Sequence, residues 1–314
     1  MLMALVGLVF GLIVLAAGAE LLVRGAASIA VRAGLRPIII GLTIVALGTS
    51  SPELVVSLTA AFQNNTDVSI GNVVGSNLFN MLAILGFAAI VRPMSIQSQT
   101  VRYEMPMMIV VSGVLWLMAL DGQISRADGC VLLALFLVFL AYCYKFARLP
   151  EMEKKPAELR SRLWAAAFVV LGATGLGLGG YLCTTNAVVL AEGMGVSKLV
   201  IGLTVLAFGT SLPELAASVM AALRRQADLS VGNVVGSNIF NIGLVLGLTA
   251  LIVRDGLPVP PDCLRVDIPI AVAAAIVVLP LMWTRRSLAR AEGALLLAAI
   301  IAYTVFRYLH DRPA

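Results

Sequence analysis

Apolar residues fall along this chain in long uninterrupted runs. Ten stretches, at 4–31, 37–62, 69–91, 104–120, 126–146, 163–192, 199–223, 230–253, 265–283 and 288–308, each have the length needed to cross a hydrocarbon layer as a helix, which takes about 20 residues. Polar connectors between them are short, apart from one at 147–162. The pattern predicts an all-α integral membrane protein of ten transmembrane helices. The small-residue stretch Ala16-Ala17-Gly18-Ala19 could mimic a signal-peptide cleavage site. No positive segment precedes it and apolar sequence continues past it, so the first run reads as a retained helix.

Two of the runs are interrupted in the same way. Gly48-Thr49-Ser50-Ser51-Pro52-Glu53 sits inside the second run, and Gly209-Thr210-Ser211-Leu212-Pro213-Glu214 sits inside the seventh, 161 residues later. Residues 41–80 align with 202–241 without a gap, and 24 of the 40 positions are identical, including Gly-Asn-Val-Val-Gly-Ser-Asn at 71–77 and 232–238. The echo continues with small shifts: Arg102-x-Glu104-x-Pro106 answers Arg265-x-Asp267-x-Pro269, and Arg126-Ala127-Asp128 answers Arg290-Ala291-Glu292. The repeated unit is therefore five helices long. It gives a first repeat at 1–146, a cytoplasmic linker at 147–162 and a second repeat at 163–314.

Five is odd, so the second unit is expected to enter the membrane inverted. Loop charge agrees. Connectors after odd-numbered spans hold fifteen Lys and Arg, against six in the even connectors and the C-terminal end. The positive-inside rule places the odd connectors in the cytoplasm and both termini outside it. The matched loops carry the contrast in miniature, Gln63-Asn64-Asn65 without a cation and Arg224-Arg225-Gln226 with two. Inverted repeats with interrupted helices are a signature of secondary transporters, whose site lies near the midplane.

Composition narrows the classes. The chain has 314 residues, 60% hydrophobic and 12% charged, with mean hydropathy +1.00; a soluble domain carries about 25% charged residues. The net charge of +5 comes from basic residues in connectors and does not indicate nucleic acid. Cys130, Cys143, Cys183 and Cys263 show neither metal-ligand spacing nor a disulfide framework.

The chemistry concentrates at the two interruptions. Pro52 has no N–H and crowds the carbonyl of Gly48, so the carbonyls of Ala46, Leu47, Gly48 and Thr49 are expected to lose helical partners. Freed carbonyls at membrane depth need water, protein donors or a cation. Ser50, Glu53 and Ser57 follow on one helical face, Ser76 and Asn80 on a face of the next helix, and the second unit supplies Ser211, Glu214, Ser218, Ser237 and Asn241. Pooled at a two-fold axis, these offer two carboxylates, hydroxyls, amides and carbonyls. All-oxygen ligation suits hard cations such as Ca²⁺ and Na⁺. Two carboxylates in low dielectric need about two positive charges, as one divalent ion, two monovalent ions or protons. A site that needs an occupant is suited to exchange. Simpler readings exist beside this one. Ser50-x-x-Glu53 also spells a capping box, the Gly-x-x-x-Gly pairs at 71–75 and 232–236 suit helix packing, and Asn77 and Asn238 could tie helices together. Glu104, Asp267, Asp128 and Glu292 stand near span starts beside arginines, where interfacial caps and ion pairs are expected, and Glu20 with Arg24 reads as a local pair.

Gly-Thr-Ser-x-Pro-Glu followed by Gly-Asn-x-x-Gly-Ser-Asn-x-x-Asn, in two copies, resembles the α-repeats of the Ca²⁺/cation antiporter superfamily, in particular its prokaryotic sodium/calcium exchangers. The resemblance covers the whole ten-helix layout. It implies that Glu53 and Glu214 bind Ca²⁺ centrally with the main-chain carbonyls of Thr49 and Thr210. It further implies flanking Na⁺ sites built from Ser50, Ser76, Ser211, Ser237 and the carbonyls of Ala46 and Ala207, with Asn80 and Asn241 lining the centre. The first and sixth helices would slide against the other eight to alternate access, with no cofactor and no enzymatic step. Some relatives, including K⁺-dependent exchangers, carry aspartate where this chain has Asn241, so the pattern resembles the K⁺-independent ones. Proton-coupled relatives usually carry Gly-Asn in place of Gly-Thr-Ser, which favours Na⁺ over H⁺ as the coupling ion.

Other functions fit less well. A proton-coupled divalent-cation antiporter would use Glu53 or Glu214 as the proton carrier. A passive channel would leave two carboxylates at a closed midplane site without purpose. A serine hydrolase would need a base, and the sole histidine, His310, lies in the C-terminal tail. The compact build without regulatory insertions is that of a bacterial inner-membrane protein.

Overall fold

The computed structural model describes residues 1–63, 66–146, 159, 161–194 and 207–310. Most of the linker at 147–162, Asn64 and Asn65, the first part of the seventh run at 199–206, the side chain of His310 and residues 311–314 lie outside the described residues. The helices are α1 (Leu2–Ala33), α2 (Pro37–Thr49), α3 (Ser51–Phe62), α4 (Thr66–Val91), α5 (Thr100–Ala119) and α6 (Arg126–Lys145) in the first half. The second half holds α7 (Arg162–Gly193), α8 (Ala207–Gly209), α9 (Leu212–Leu223), α10 (Ala227–Ile252), α11 (Cys263–Arg285) and α12 (Arg290–His310).

Among the described residues seven helices are long and apolar enough to cross a membrane, and the bent pair α2–α3, taken as one span, brings the number to eight. The chain is an all-helical integral membrane protein. Of the other two apolar runs, the last forms α12, and the seventh contributes α8 and α9 with its start outside the described residues.

Local sequence explains the interruptions. α2 and α3 meet at 45°. Ser50 between them has φ −85° and ψ 7°, and Pro52 follows in the first turn of α3. Ser211 repeats this with φ −89° and ψ 5° ahead of Pro213. α4, α5, α10 and α11 each contain a π-helical turn, at Asn80–Ile84, Thr100–Glu104, Asn241–Leu246 and Cys263–Asp267. The turns in α5 and α11 directly precede Pro106 and Pro269, whose missing N–H disturbs the helical ladder.

Helices α4 and α10 form the centre, with 78% of their most apolar stretch buried, against 28% for α1 and α7. α1 and α7 lie against each other through glycines: a Cβ on Gly172 would come within 2.4 Å of the Leu22 amide nitrogen, and one on Gly18 within 2.6 Å of the Leu176 nitrogen. Such backbone-to-backbone approach is how helices associate where lipid supplies no hydrophobic drive. Gly232 and Gly236 likewise press on the carbonyls of Ile38 and Leu42, as their spacing suggests. The residues that the repeat offset would place against Gly71 and Gly75, at 199 and 203, lie outside the described residues.

Two short antiparallel strand pairs join the halves. β1 (Met94–Ser95) pairs with β4 (Ser287–Leu288), and β2 (Gln123–Ile124) pairs with β3 (Leu257–Pro258).

Asp128 and Glu292 are interfacial caps. Asp128 forms a reciprocal capping box with Ser125, and Glu292 accepts from the Ala289 amide. Asp267 is ion-paired with Arg307. Glu20 pairs with Arg24 and also with Arg224 across the fold. Glu104 departs from the expected interfacial pairing: it is fully buried, accepts from Gln99 and Tyr142, and makes no salt bridge among the described residues. Its neighbour Arg102 is exposed, so the adjacency of the two in sequence does not become contact.

Candidate functional site

At the interruptions each half supplies the hydrogen-bond donor for the other half's carboxylate. Ser50 Oγ donates to Glu214 Oε1 at 2.9 Å, and Ser211 Oγ lies 3.3 Å from Glu53 Oε1 and 3.2 Å from Ser76 Oγ. Neither serine caps its own helix through its side chain. The capping-box reading of Ser50-x-x-Glu53 is therefore set aside: the motif's hydroxyl and carboxylate serve opposite halves.

Glu53, Glu214, Ser50, Ser211, Ser76, Ser237, Asn80, Asn241 and Thr49 are all buried; Thr210 is partly so. Ala207 opens α8. The second carboxylate oxygens, Glu53 Oε2 and Glu214 Oε2, have no hydrogen-bond partner, and the same holds for Asn80 Oδ1, Asn241 Oδ1 and Ser237 Oγ. These five unpartnered buried atoms all belong to residues singled out from the sequence. Each such atom costs about 1–3 kcal/mol if nothing satisfies it. Neither glutamate is paired with a basic side chain among the described residues. Oxygens without donors, two of them on carboxylates, have the chemistry to accept positive charge.

Four asparagines hold this centre. Asn77 and Asn238 each donate to the other's main-chain carbonyl at 3.3 Å, Asn80 donates to Asn238 Oδ1 at 2.9 Å, and Asn241 donates to Asn77 Oδ1 at 3.1 Å. Asn77 and Asn238 tie the helices together. Their lattice turns the amide nitrogens of Asn80 and Asn241 toward protein acceptors and leaves both Oδ1 atoms free.

One expected feature differs. The Ala46 carbonyl keeps its helical bond from the Ser50 amide at 2.9 Å, and Leu47's carbonyl accepts from Ser51 Oγ at 2.6 Å. The helix persists to the bend because Pro52 removes a donor only for the carbonyl of Gly48. The Ala46 carbonyl also has Thr49 Oγ1 at 3.3 Å.

Asn72 and Asn233 escaped the sequence reading. Asn72 donates to the Glu53 carbonyl (3.3 Å) and Ser57 Oγ (3.0 Å), and its Oδ1 lies 3.4 Å from Thr210 Oγ1. Asn233 donates to the Glu214 carbonyl (3.3 Å) and Ser218 Oγ (2.9 Å), and its Oδ1 lies 3.0 Å from Thr49 Oγ1. Each asparagine thus fixes the backbone of one half's glutamate to the other half's threonine. The signal was present in the duplicated Gly-Asn of the motif.

Comparison with known proteins identifies the family. The family described as sodium/calcium exchanger protein matches residues 3–145 and again 164–309. The inner membrane protein YrbG of Escherichia coli is 37% identical over 98% of this chain and 98% of its own length. The sodium/calcium exchanger MaX1 of Methanosarcina acetivorans is 30% identical over 95% of this chain and 96% of its own. The solved structure of the sodium-calcium exchanger NCX_Mj, soaked with zero Na⁺ and Ca²⁺, superposes with TM-score 0.85 at 30% identity, covering 97% of this chain and 99% of that one. With a repeated family match, full-length relatives and a shared fold, the chain belongs to the sodium/calcium exchanger family and is an integral membrane antiporter.

Proposed function

We propose that this protein exchanges Na⁺ for Ca²⁺ across the membrane by alternating access, at one central site built from both halves. Glu53 and Glu214 ligate Ca²⁺ with the main-chain carbonyls of Thr49 and Thr210. Ser50, Ser76, Ser211, Ser237 and the carbonyls of Ala46 and Ala207 form flanking Na⁺ positions, and Asn80 and Asn241 present their free oxygens to the centre. The reciprocal serine–glutamate bonding carries this reading, because it joins the two carboxylates into one site and leaves one oxygen of each unsatisfied.

The site works by electrostatic substitution. Two buried carboxylates without an occupant cost several kcal/mol each in lost solvation. Either one divalent ion or two monovalent ions restore neutrality, so the loaded protein can rearrange and the empty one cannot. That difference links the two ion flows.

A ten-helix fold of two inverted five-helix units, 1–146 and 163–314 about a cytoplasmic linker, supports such a cycle. The double family match favours duplication. The strand pairs favour inversion: β3 follows α10 as β1 follows α4, yet it pairs with β2, on the far side of span α5 from β1. Loop charge puts both termini outside the cytoplasm. The close glycine contacts of α1 with α7 suit these two as the sliding pair.

Proteoliposomes loaded with Na⁺, K⁺ or a pH gradient test the coupling. Na⁺-driven exchange gives Ca²⁺ uptake only with the outward Na⁺ gradient. Equal uptake driven by a pH gradient without Na⁺ would assign the coupling to protons.

A further inference from the structure

Outside the central site, one carboxylate among the described residues is buried and makes no salt bridge. Glu104 ends the π-helical turn of α5 and has no exposed surface. Its Oε1 accepts from Gln99 Nε2 at 3.0 Å and from Tyr142 OH at 2.8 Å, and Gln99 also donates to Tyr142 OH at 3.1 Å. Its Oε2 has no partner.

The second half shows what is missing. Asp267 ends the matching turn in α11, accepts from Tyr303 OH at 2.8 Å, and pairs with Arg307 at 3.3 Å. Tyr303 takes the part of Tyr142, and the residue four positions further along the helix is Arg307 in the second half and Phe146 in the first. Phe146 stacks on Tyr142 with ring centroids 4.9 Å apart. Where one half places a guanidinium, the other places an aromatic ring.

The surroundings of Glu104 offer donors to one oxygen and nothing to balance a charge. From α6 it faces Tyr142 and Cys143, and Arg36 is a basic group near it that forms no ion pair with it among the described residues. The part of α11 packed nearby, 268–284, contains no titratable side chain. A metal ion would find one free carboxylate oxygen, the other being taken by hydrogen-bond donors, too few ligands for Na⁺ or Ca²⁺. A proton needs only that oxygen.

We propose that Glu104 is a proton-binding site separate from the central cation site, holding its carboxyl neutral at physiological pH and making exchange sensitive to alkaline pH. Deprotonation leaves an uncompensated charge among α5, α6 and α11, so exchange falls as pH rises, whatever the coupling ion.

Infrared difference spectra of the purified full-length protein test this, with saturating Ca²⁺ so that Glu53 and Glu214 contribute equally throughout. At neutral pH Glu104→Gln is expected to remove a protonated-carboxyl C=O band that Asp267→Asn retains. Phe146→Arg, which supplies the charge found in the second half, is expected to convert that band to carboxylate absorption. In transport, Glu104→Gln keeps the neutral-pH rate within about twofold and loses the alkaline decline. A Glu104→Gln spectrum that loses carboxylate bands instead of the C=O band overturns the proposal. So does a Phe146→Arg spectrum identical to the parent's, or an unchanged pH profile in Glu104→Gln.

Discussion

Ser50 Oγ lies 2.9 Å from Glu214 Oε1 although 164 residues separate them in the chain. The bond exists because two copies of one helix break face each other, each offering a hydroxyl to the other's carboxylate.

Ser50→Ala removes that donor and leaves Glu214 Oε1 short of a partner. Hydrogen bonds to charged groups are worth about 1.5–3 kcal/mol, which corresponds to roughly 10–100-fold in affinity. The apparent KM for Ca²⁺ uptake is expected to rise by that factor, with helix content by circular dichroism unchanged. Ser211→Ala is expected to do more, since Ser211 also contacts Ser76.

Asn72 and Asn233 act through the backbone of the glutamates. Alanine at either position removes a donor from a helical carbonyl and from a serine hydroxyl, a loss of about 1–3 kcal/mol. Thermal unfolding in detergent is expected at lower temperature, and the transport rate is expected to fall about tenfold or more. Serine, which restores one hydrogen bond, is expected to recover part of both.

Much of this was legible before any coordinates. Ten apolar runs became helices or parts of helices because a membrane leaves the backbone few alternatives. The carboxylates at 53 and 214 stood out because such groups in apolar spans are costly and here occur twice. Tertiary placement was not legible. Glu104 stands two residues from Arg102 in sequence, yet the π turn sends one inward and the other to the surface. Asn72 and Asn77 are both amides in one helix, and only the partner helices distinguish a backbone clamp from an interhelical tie.

The α1–α7 contact makes a further comparison possible. Gly172→Val would drive atoms into the backbone at Leu22, whereas nothing lies within 4 Å of a Cβ on Gly177. Overpacking of this kind costs about 1–3 kcal/mol. A lower melting temperature and slowed transport are expected for Gly172→Val, and near-parental behaviour for Gly177→Ala.

Glu20 of α1 is bound by Arg224, just past α9, with Arg224 Nε 3.0 Å from Glu20 Oε2. Both side chains are partly exposed, at 25% and 40%, so Glu20→Gln is expected to cost less than about 1 kcal/mol in stability. If α1 slides during the cycle, this pair breaks in every turnover. A changed maximal rate with an unchanged KM for Ca²⁺ is expected, measured over a range of ionic strength.

The most direct measurement is Ca²⁺ uptake into Na⁺-loaded proteoliposomes by Glu53→Gln and Glu214→Gln, each compared with the parent at matched protein content. A shared site requires that either substitution alone abolish exchange, since the remaining carboxylate cannot neutralise a divalent ion. Uptake at the parental rate in either variant would mean that the two glutamates do not form one cation site.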